Sequence, residues 1–178
     1  MKKLAITCLF GSLLLTGCSG KNNQAEPTKI QDSNYQVTDT NIGFVKNTAK
    51  LSNLEIKLLE FQKVAAPKDS IFDTPYLKIW FDVTNKSDQD IPLSDAWISG
   101  LDVFQTNSLP KVAVNEKGKE LKDTYKGIGE DKQPIKPGAT IHGEATYALE
   151  DDKNNTVKIQ LTNGFNGEKV ATAELKLQ

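Results

Sequence analysis

Along much of the chain, apolar and polar residues alternate with a period of two, as in strands that turn one face to a core. Leu77, Ile79, Phe81 and Val83 alternate with Tyr76, Lys78, Trp80 and Asp82, and Trp80 gives the second face something to pack as well, which predicts a central strand. Ile141, Gly143, Ala145, Tyr147 and Leu149 alternate with Thr140, His142, Glu144, Thr146 and Ala148. Val157, Ile159 and Leu161 alternate with polar neighbours, and Ala171, Ala173, Leu175 and Leu177 mark a last strand. Turn signals separate these runs: Asn85-Lys86-Ser87-Asp88, Pro137-Gly138, Asn154-Asn155 and Asn163-Gly164. Leu51 to Val64 is ambiguous, because Ile56, Leu58 and Leu59 suit either period; Glu55 and Lys57 between apolar neighbours favour a strand. The polar, glycine-bearing stretch from Asn107 to Gln133 is expected to be a long loop or crossover. Short strands with almost no helical stretch predict an all-β antiparallel sandwich.

The N-terminus follows a different rule. Lys2 and Lys3 precede an uncharged apolar run, Leu4 to Leu15, that ends in Thr16-Gly17-Cys18. This is the layout of a secretory signal, and the run is shorter than the roughly 20 residues a membrane-spanning helix needs. Leu15-Thr16-Gly17-Cys18 resembles the bacterial lipobox, in which cleavage between Gly17 and Cys18 leaves the cysteine to carry a diacylglycerol thioether. Several acyl chains anchor stably because each buried CH2 contributes about 0.8 kcal/mol. Residues 1–17 are therefore expected to be a lipoprotein signal peptide, 18–40 a lipidated cysteine with a flexible polar tether, and 41–178 one domain. The expected location is the extracytoplasmic face of the cell membrane, held by lipid on Cys18.

Cysteine and charge narrow the chemistry. Cys8 lies in the signal and Cys18 is the lipid site, so the domain is expected to hold no disulfide and no thiolate metal site. The formal charge of −1 becomes −3 once the segment carrying Lys2 and Lys3 is removed. A weakly acidic domain without a basic run offers no footprint for nucleic acid.

Three pieces in order resemble a family. Tyr76 to Asp88 is similar to an apolar strand followed by Thr-Asn-x-Ser; Val103-Phe104-Gln105-Thr106-Asn107 to a strand end of the form apolar-Phe-Gln-x-Gly; and Ile135 to Ile141 to a Pro-Gly-x-Thr turn into a strand ending at Tyr147-Ala148-Leu149. Together they resemble the uncharacterised lipoprotein domains of Gram-positive bacteria with a telokin-like, immunoglobulin-like fold, over the stretch from Leu51 to the C-terminus. Asn107 and Ser108 depart from the usual Gly and apolar residue. The resemblance implies a secreted, membrane-attached immunoglobulin-like sandwich, and it supplies no catalytic residues.

Candidate chemistry is sparse. His142 is the single histidine and is expected to face solvent from its strand. Neither a Gly-x-Ser-x-Gly elbow nor a phosphate-binding Gly-rich loop occurs. Asp82, Asp88, Asp90 and Asp95 flank a turn and are the candidates for calcium, although the spacing lacks the glycine and closing glutamate of a helix-loop-helix site and favours a solvated turn. Tyr76 and Trp97, expected with Trp80 on neighbouring strands, are candidates for an interaction surface, with core packing the competing reading and the favoured one for Trp80.

These features predict a non-enzymatic binding module without cofactor, whose partner is an envelope or secreted protein; protection of the producing cell is one version, by analogy of fold alone. The alternatives are an accessory or solute-binding subunit of a transporter, which usually needs two lobes around a cleft, and a wall-active hydrolase. For the hydrolase the raw material is Asp151-Asp152 and Glu144, of which the adjacent pair would point to opposite faces of a strand.

Overall fold

The computed structural model describes residues 26–30, 42–68, 70–115, 134–165 and 167–178. Gly17 and Cys18 lie outside them, as does most of the expected tether. Among the described residues, twelve strands and one short helix follow in chain order: β1 (Thr28–Lys29), β2 (Gly43–Val45), β3 (Thr48–Lys50), β4 (Leu54–Val64), β5 (Tyr76–Asn85), β6 (Ile91–Pro92), α1 (Leu93–Ile98), β7 (Leu101–Phe104), β8 (Lys111–Asn115), β9 (Pro134–Ile135), β10 (Thr140–Ala148), β11 (Thr156–Thr162) and β12 (Lys169–Lys176). A large sheet has the order β2-β3-β4-β5-β10-β8, with β1 paired to β4; a smaller one has the order β12-β11-β7, and β6 and β9 form a ribbon. All pairs are antiparallel. The protein is an all-β, immunoglobulin-like sandwich.

The core lies between the two sheets and is built from the alternation seen in the sequence. Leu77, Ile79, Phe81 and Val83 of β5 and Ala145 and Tyr147 of β10 meet Val157, Ile159 and Leu161 of β11 and Ala171, Ala173 and Leu175 of β12. On β4 the register shifts between Leu58 and Glu60, so the buried parity runs Leu54, Ile56, Leu58 and then Phe61. This bulge resolves the ambiguity of the Leu58-Leu59 pair, since one extra residue lets a strand keep its core face through a break in alternation.

Three elements differ from the sequence expectations, the first being β1, which lies in the segment expected to be a flexible tether and pairs with β4. Within the stretch expected to be a loop from Asn107 to Gln133, Lys111–Asn115 forms an edge strand on β10. Val112 and Val114 favour extended backbone, and the edge of β10 offers hydrogen-bonding groups that a neighbouring strand satisfies. The third is α1, whose six residues are too few for a visible helical period. Pro92 stands at its N-cap with extended backbone, and Leu93, Ala96 and Trp97, spaced three and four apart, turn to the core. Trp97 is thus on a helix, not on a strand. Its ring stacks on Phe81 with centroids 4.2 Å apart, and its Nε1–H donates to the Tyr147 hydroxyl at 2.6 Å. Burial raises the pKa of that hydroxyl far above the ordinary phenol value. Gly143, opposite Phe81, makes room for this stack: a Cβ there would lie 2.8 Å from the Phe81 ring.

Candidate functional site

The three motifs of the family resemblance turn out to be joints. Asn85 ends β5 and is buried. Its amide donates to the carbonyls of Gln89 at 2.7 Å and Ile135 at 2.8 Å, and its Oδ1 accepts from the Ser87 backbone N–H and hydroxyl. Thr-Asn-x-Ser is therefore a side-chain pin that closes its own turn and holds β9. The Pro-Gly turn docks on the same residue: Gly138, with φ of 75°, donates its N–H to the Asn85 carbonyl, and the Asn85 N–H donates to Ala139. Ala139 N–H closes the turn onto Lys136, the hydrogen bond of a type II turn with proline and then glycine at its centre. At the opposite end of the sandwich, Gln105 donates to the Asn154 carbonyl and accepts from the Glu150 N–H. The Glu150 carboxylate in turn accepts from the Thr106 and Asn107 backbones and the Asn107 amide. These bonds hold its pKa below the ordinary value.

The turn aspartates do not gather around a cation. Asp82 is on β5 bonded to His142, Asp90 pairs with Lys136, and Asp95 lies in the first turn of α1 beside the Ser94 hydroxyl. Asp88 is exposed, and among the described residues no three His, Cys, Asp or Glu side chains are grouped to hold a metal. The aromatic candidates do not form an open surface either. Tyr76 is buried with its hydroxyl bonded to Ser70, and Trp97 is fully buried, so both serve packing. The hydrolase carboxylates are likewise dispersed. Asp151 accepts from the Lys153 and Asn154 backbones, Asp152 pairs with Lys63, and Glu144 belongs to a different structure altogether.

That structure lies on the face of the large sheet turned away from the core. Reading across β4, β5 and β10, the register sets three rows side by side: Lys57, Asp82 and His142; Glu60, Trp80 and Glu144; Gln62, Lys78 and Thr146. In the second and third rows Trp80, Glu144, Gln62, Lys78 and Thr146 are all buried, an unusual density of polar groups for a sheet's second face. Lys78 Nζ donates to Glu144 Oε1 at 2.9 Å, Trp80 Nε1–H to Glu144 Oε2 at 2.9 Å, and the Thr146 hydroxyl to Oε1 at 3.3 Å. Burial pulls the Lys78 ammonium below its ordinary pKa, while the attraction and hydrogen bond of Glu144 act the other way. The carboxylate is fixed by donors on both oxygens. It orients its surroundings.

Sequence reasoning missed this network because parity placed Glu144 with His142 on a polar face, and parity cannot tell a solvated face from a covered one. The signal was Trp80, which shares that face with Lys78. His142 itself is partly exposed as expected, with its Nδ1 2.9 Å from Asp82 Oδ1.

Where the first row meets the second, the face opens into a groove of about 410 Å3. Leu59, the extra residue of the bulge, forms its side with Lys57 and Glu60; Trp80 is the floor, and His142 stands at the far edge. Asn47 closes one end from the β2–β3 turn, its amide donating to the Leu58 carbonyl at 2.7 Å. The remaining wall is Lys29 and Ile30, from the segment expected to be tether. Thr28 and Lys29 pair with Phe61 and Glu60, and Ile30 N–H donates to the Leu59 carbonyl at 2.9 Å.

No curated protein matches the sequence. Among solved structures, a Staphylococcus aureus protein provisionally described as a lipoprotein is similar at 17% identity, with a TM-score of 0.55 over 73% of this chain and 88% of that one. An uncharacterised β-sandwich protein from Clostridium difficile aligns at 14% identity and a TM-score of 0.45, over 83% of this chain and 96% of that one. At such identities the first likeness shows the fold alone. A family model matches residues 23–163, from inside the expected tether to the turn after β11, and the chain belongs to that family, described as Domain of unknown function (DUF5067).

Proposed function

We propose that the protein is lipid-anchored on the outer side of the cell membrane and that its sandwich is a non-enzymatic binding module for an envelope or secreted protein, using the outer face of the large sheet. The observation that carries the binding reading is the groove over Trp80. It is formed by side chains from β1, β4, β5, β10 and the β2–β3 turn, and it sits on a buried hydrogen-bonded network. A recognition surface needs its side chains held by rigid neighbours, and a concavity of some 300–1,000 Å3 with apolar walls and a few placed polar groups is the ordinary form of a binding site. The non-enzymatic reading is supported by where the carboxylates are spent: Glu144, Glu150 and Asp151 each accept two or more hydrogen bonds that fasten the fold. The anchor reading is supported by Lys2, Lys3, the run from Leu4 to Leu15 and the Thr16-Gly17-Cys18 ending.

Site-directed photo-cross-linking in intact cells tests the binding reading. A photoreactive residue at position 57 is expected to yield an adduct of discrete mass that the same residue at position 158, on the small sheet, does not give. Identical patterns from both positions, or no adduct from position 57, would overturn it.

A further inference from the structure

We infer that the groove takes an extended acidic segment of its partner polypeptide, with apolar side chains against Ile30 and Leu59 and carboxylates meeting the ammonium groups of Lys29 and Lys57. The inference rests on the binding reading above and names the chemistry of the partner.

Charge is the first argument. The chain as a whole is slightly acidic, yet among the described residues the groove is lined by two ammonium groups, Lys29 and Lys57, against one carboxylate, Glu60. Asp82, which lies between Lys57 and His142 in the register, is engaged by His142. Lys29 and Lys57 are both exposed, and among the described residues neither has an ion-pair partner. Two ammonium groups on facing strands suit two carboxylates carried at alternate positions of an extended chain, whose same-side residues recur at about 7 Å.

Shape is the second argument. Ile30 and Leu59, both partly exposed, give the groove apolar sides above the buried Trp80. A bare polyanion such as a glycerol phosphate polymer would satisfy the lysines but leave that surface in water, whereas a peptide alternating acidic and apolar residues covers both.

The third is the origin of one wall. Lys29 ends a strand of only two residues and Ile30 follows it, held on β4 by the pairs Thr28 to Phe61 and Lys29 to Glu60 and by the Ile30 N–H bond to the Leu59 carbonyl. A ligand that touches both Lys29 and Lys57 bridges β1 to β4, so binding and the docking of β1 must strengthen each other by linkage.

The test uses the full chain, labelled with 15N, and three probes: a blocked hexapeptide alternating Glu and Leu, its Lys/Leu counterpart, and polyglycerol phosphate. The Glu/Leu peptide is expected to shift the Ile30 and Lys57 amides and the Trp80 indole N–H, and to slow hydrogen exchange at Ile30. The double variant Lys29→Glu, Lys57→Glu alters only exposed side chains; it should bind that peptide roughly tenfold or more weakly, because attraction becomes repulsion, and should gain affinity for the Lys/Leu peptide. Equal binding of both peptides by the unaltered chain, no response to Glu/Leu at millimolar concentration, or tighter binding of polyglycerol phosphate at the same residues would each overturn the inference. If the position-57 adduct still forms in any of these cases, the partner chemistry is wrong and the binding reading stands.

Discussion

Glu144 shows how one side chain can decide a face of this protein. Its carboxylate is buried between two strands, with Lys78 on one oxygen and Trp80 on the other. Removing one member of a buried charge pair leaves the other in a medium that solvates it badly, at a cost of about 3–5 kcal/mol, although replacing both can be close to neutral. Glu144→Ala should therefore lower the unfolding free energy measured in urea by about that amount. The double variant Lys78→Met, Glu144→Gln should be milder than the single one, because no ammonium is stranded and the glutamine oxygen still accepts from the Trp80 N–H. A double variant as unstable as Glu144→Ala would show that the charge pair is not what the site protects. The residues were legible and their burial was not. An alternating Lys-x-Trp and His-x-Glu-x-Thr looks the same whether the second face meets water or protein.

At the level of elements, the long strands and the turns between them were readable because each carries its own local signal. The period of two gave β5, β10, β11 and β12, and the Pro-Gly pair gave the turn at Gly138 with its positive φ. The short pieces were not readable: α1 spans less than two turns, and β8 owes its pairing to the edge of β10. What joins the elements is equally specific. Asn85 makes four side-chain hydrogen bonds while fully buried, so Asn85→Ala strands the Ile135 carbonyl and frees the β5–β6 turn. A loss of about 2–4 kcal/mol is expected, since each net hydrogen bond contributes about 1 kcal/mol and a buried orphan costs about 1–3. Asn85→Asp, which keeps the acceptor and loses both donors, should recover little of it.

The clamp at the other end titrates. Glu150 has its pKa held below the ordinary 4.5 by donors from Thr106 and Asn107, and Asp151 is lowered in the same sense by the Lys153 and Asn154 backbones. A carboxyl that binds its proton less readily in the folded chain than in the unfolded one stabilises the fold above its ordinary pKa. That contribution is lost as pH falls through the folded value. Urea midpoints measured from pH 7 downward should begin to fall below about pH 4.5, and Glu150→Gln should make the fall shallower. An unchanged slope in that variant would place the acid sensitivity elsewhere.

For the whole molecule the decisive question is where the tether ends. Composition marks the chain from Ser19 to Asp39 as having little to bury, and so as free. Thr28 and Lys29 nevertheless pair with β4, because beyond Asn47 the β2–β3 hairpin no longer covers that edge and β4 continues past it. Two residue pairs and the Ile30 hydrogen bond to Leu59 are a small contact. With Cys18 in the membrane, as proposed, the docked state holds the chain at Thr28, ten residues on from the lipid, and release of β1 moves that point at most to Ile42, 24 residues on. At about 3.3–3.6 Å per extended residue, the greatest reach changes from roughly 35 Å to roughly 80 Å. Ile30→Pro removes the N–H that bonds Leu59 and should favour release. Neutron reflectometry of the lipidated chain on a supported bilayer should then find the domain layer displaced outward and broadened relative to the unaltered protein. Identical profiles would mean that β1 does not set the height of the domain, and the groove it helps to wall would have to be regarded as independent of the anchor.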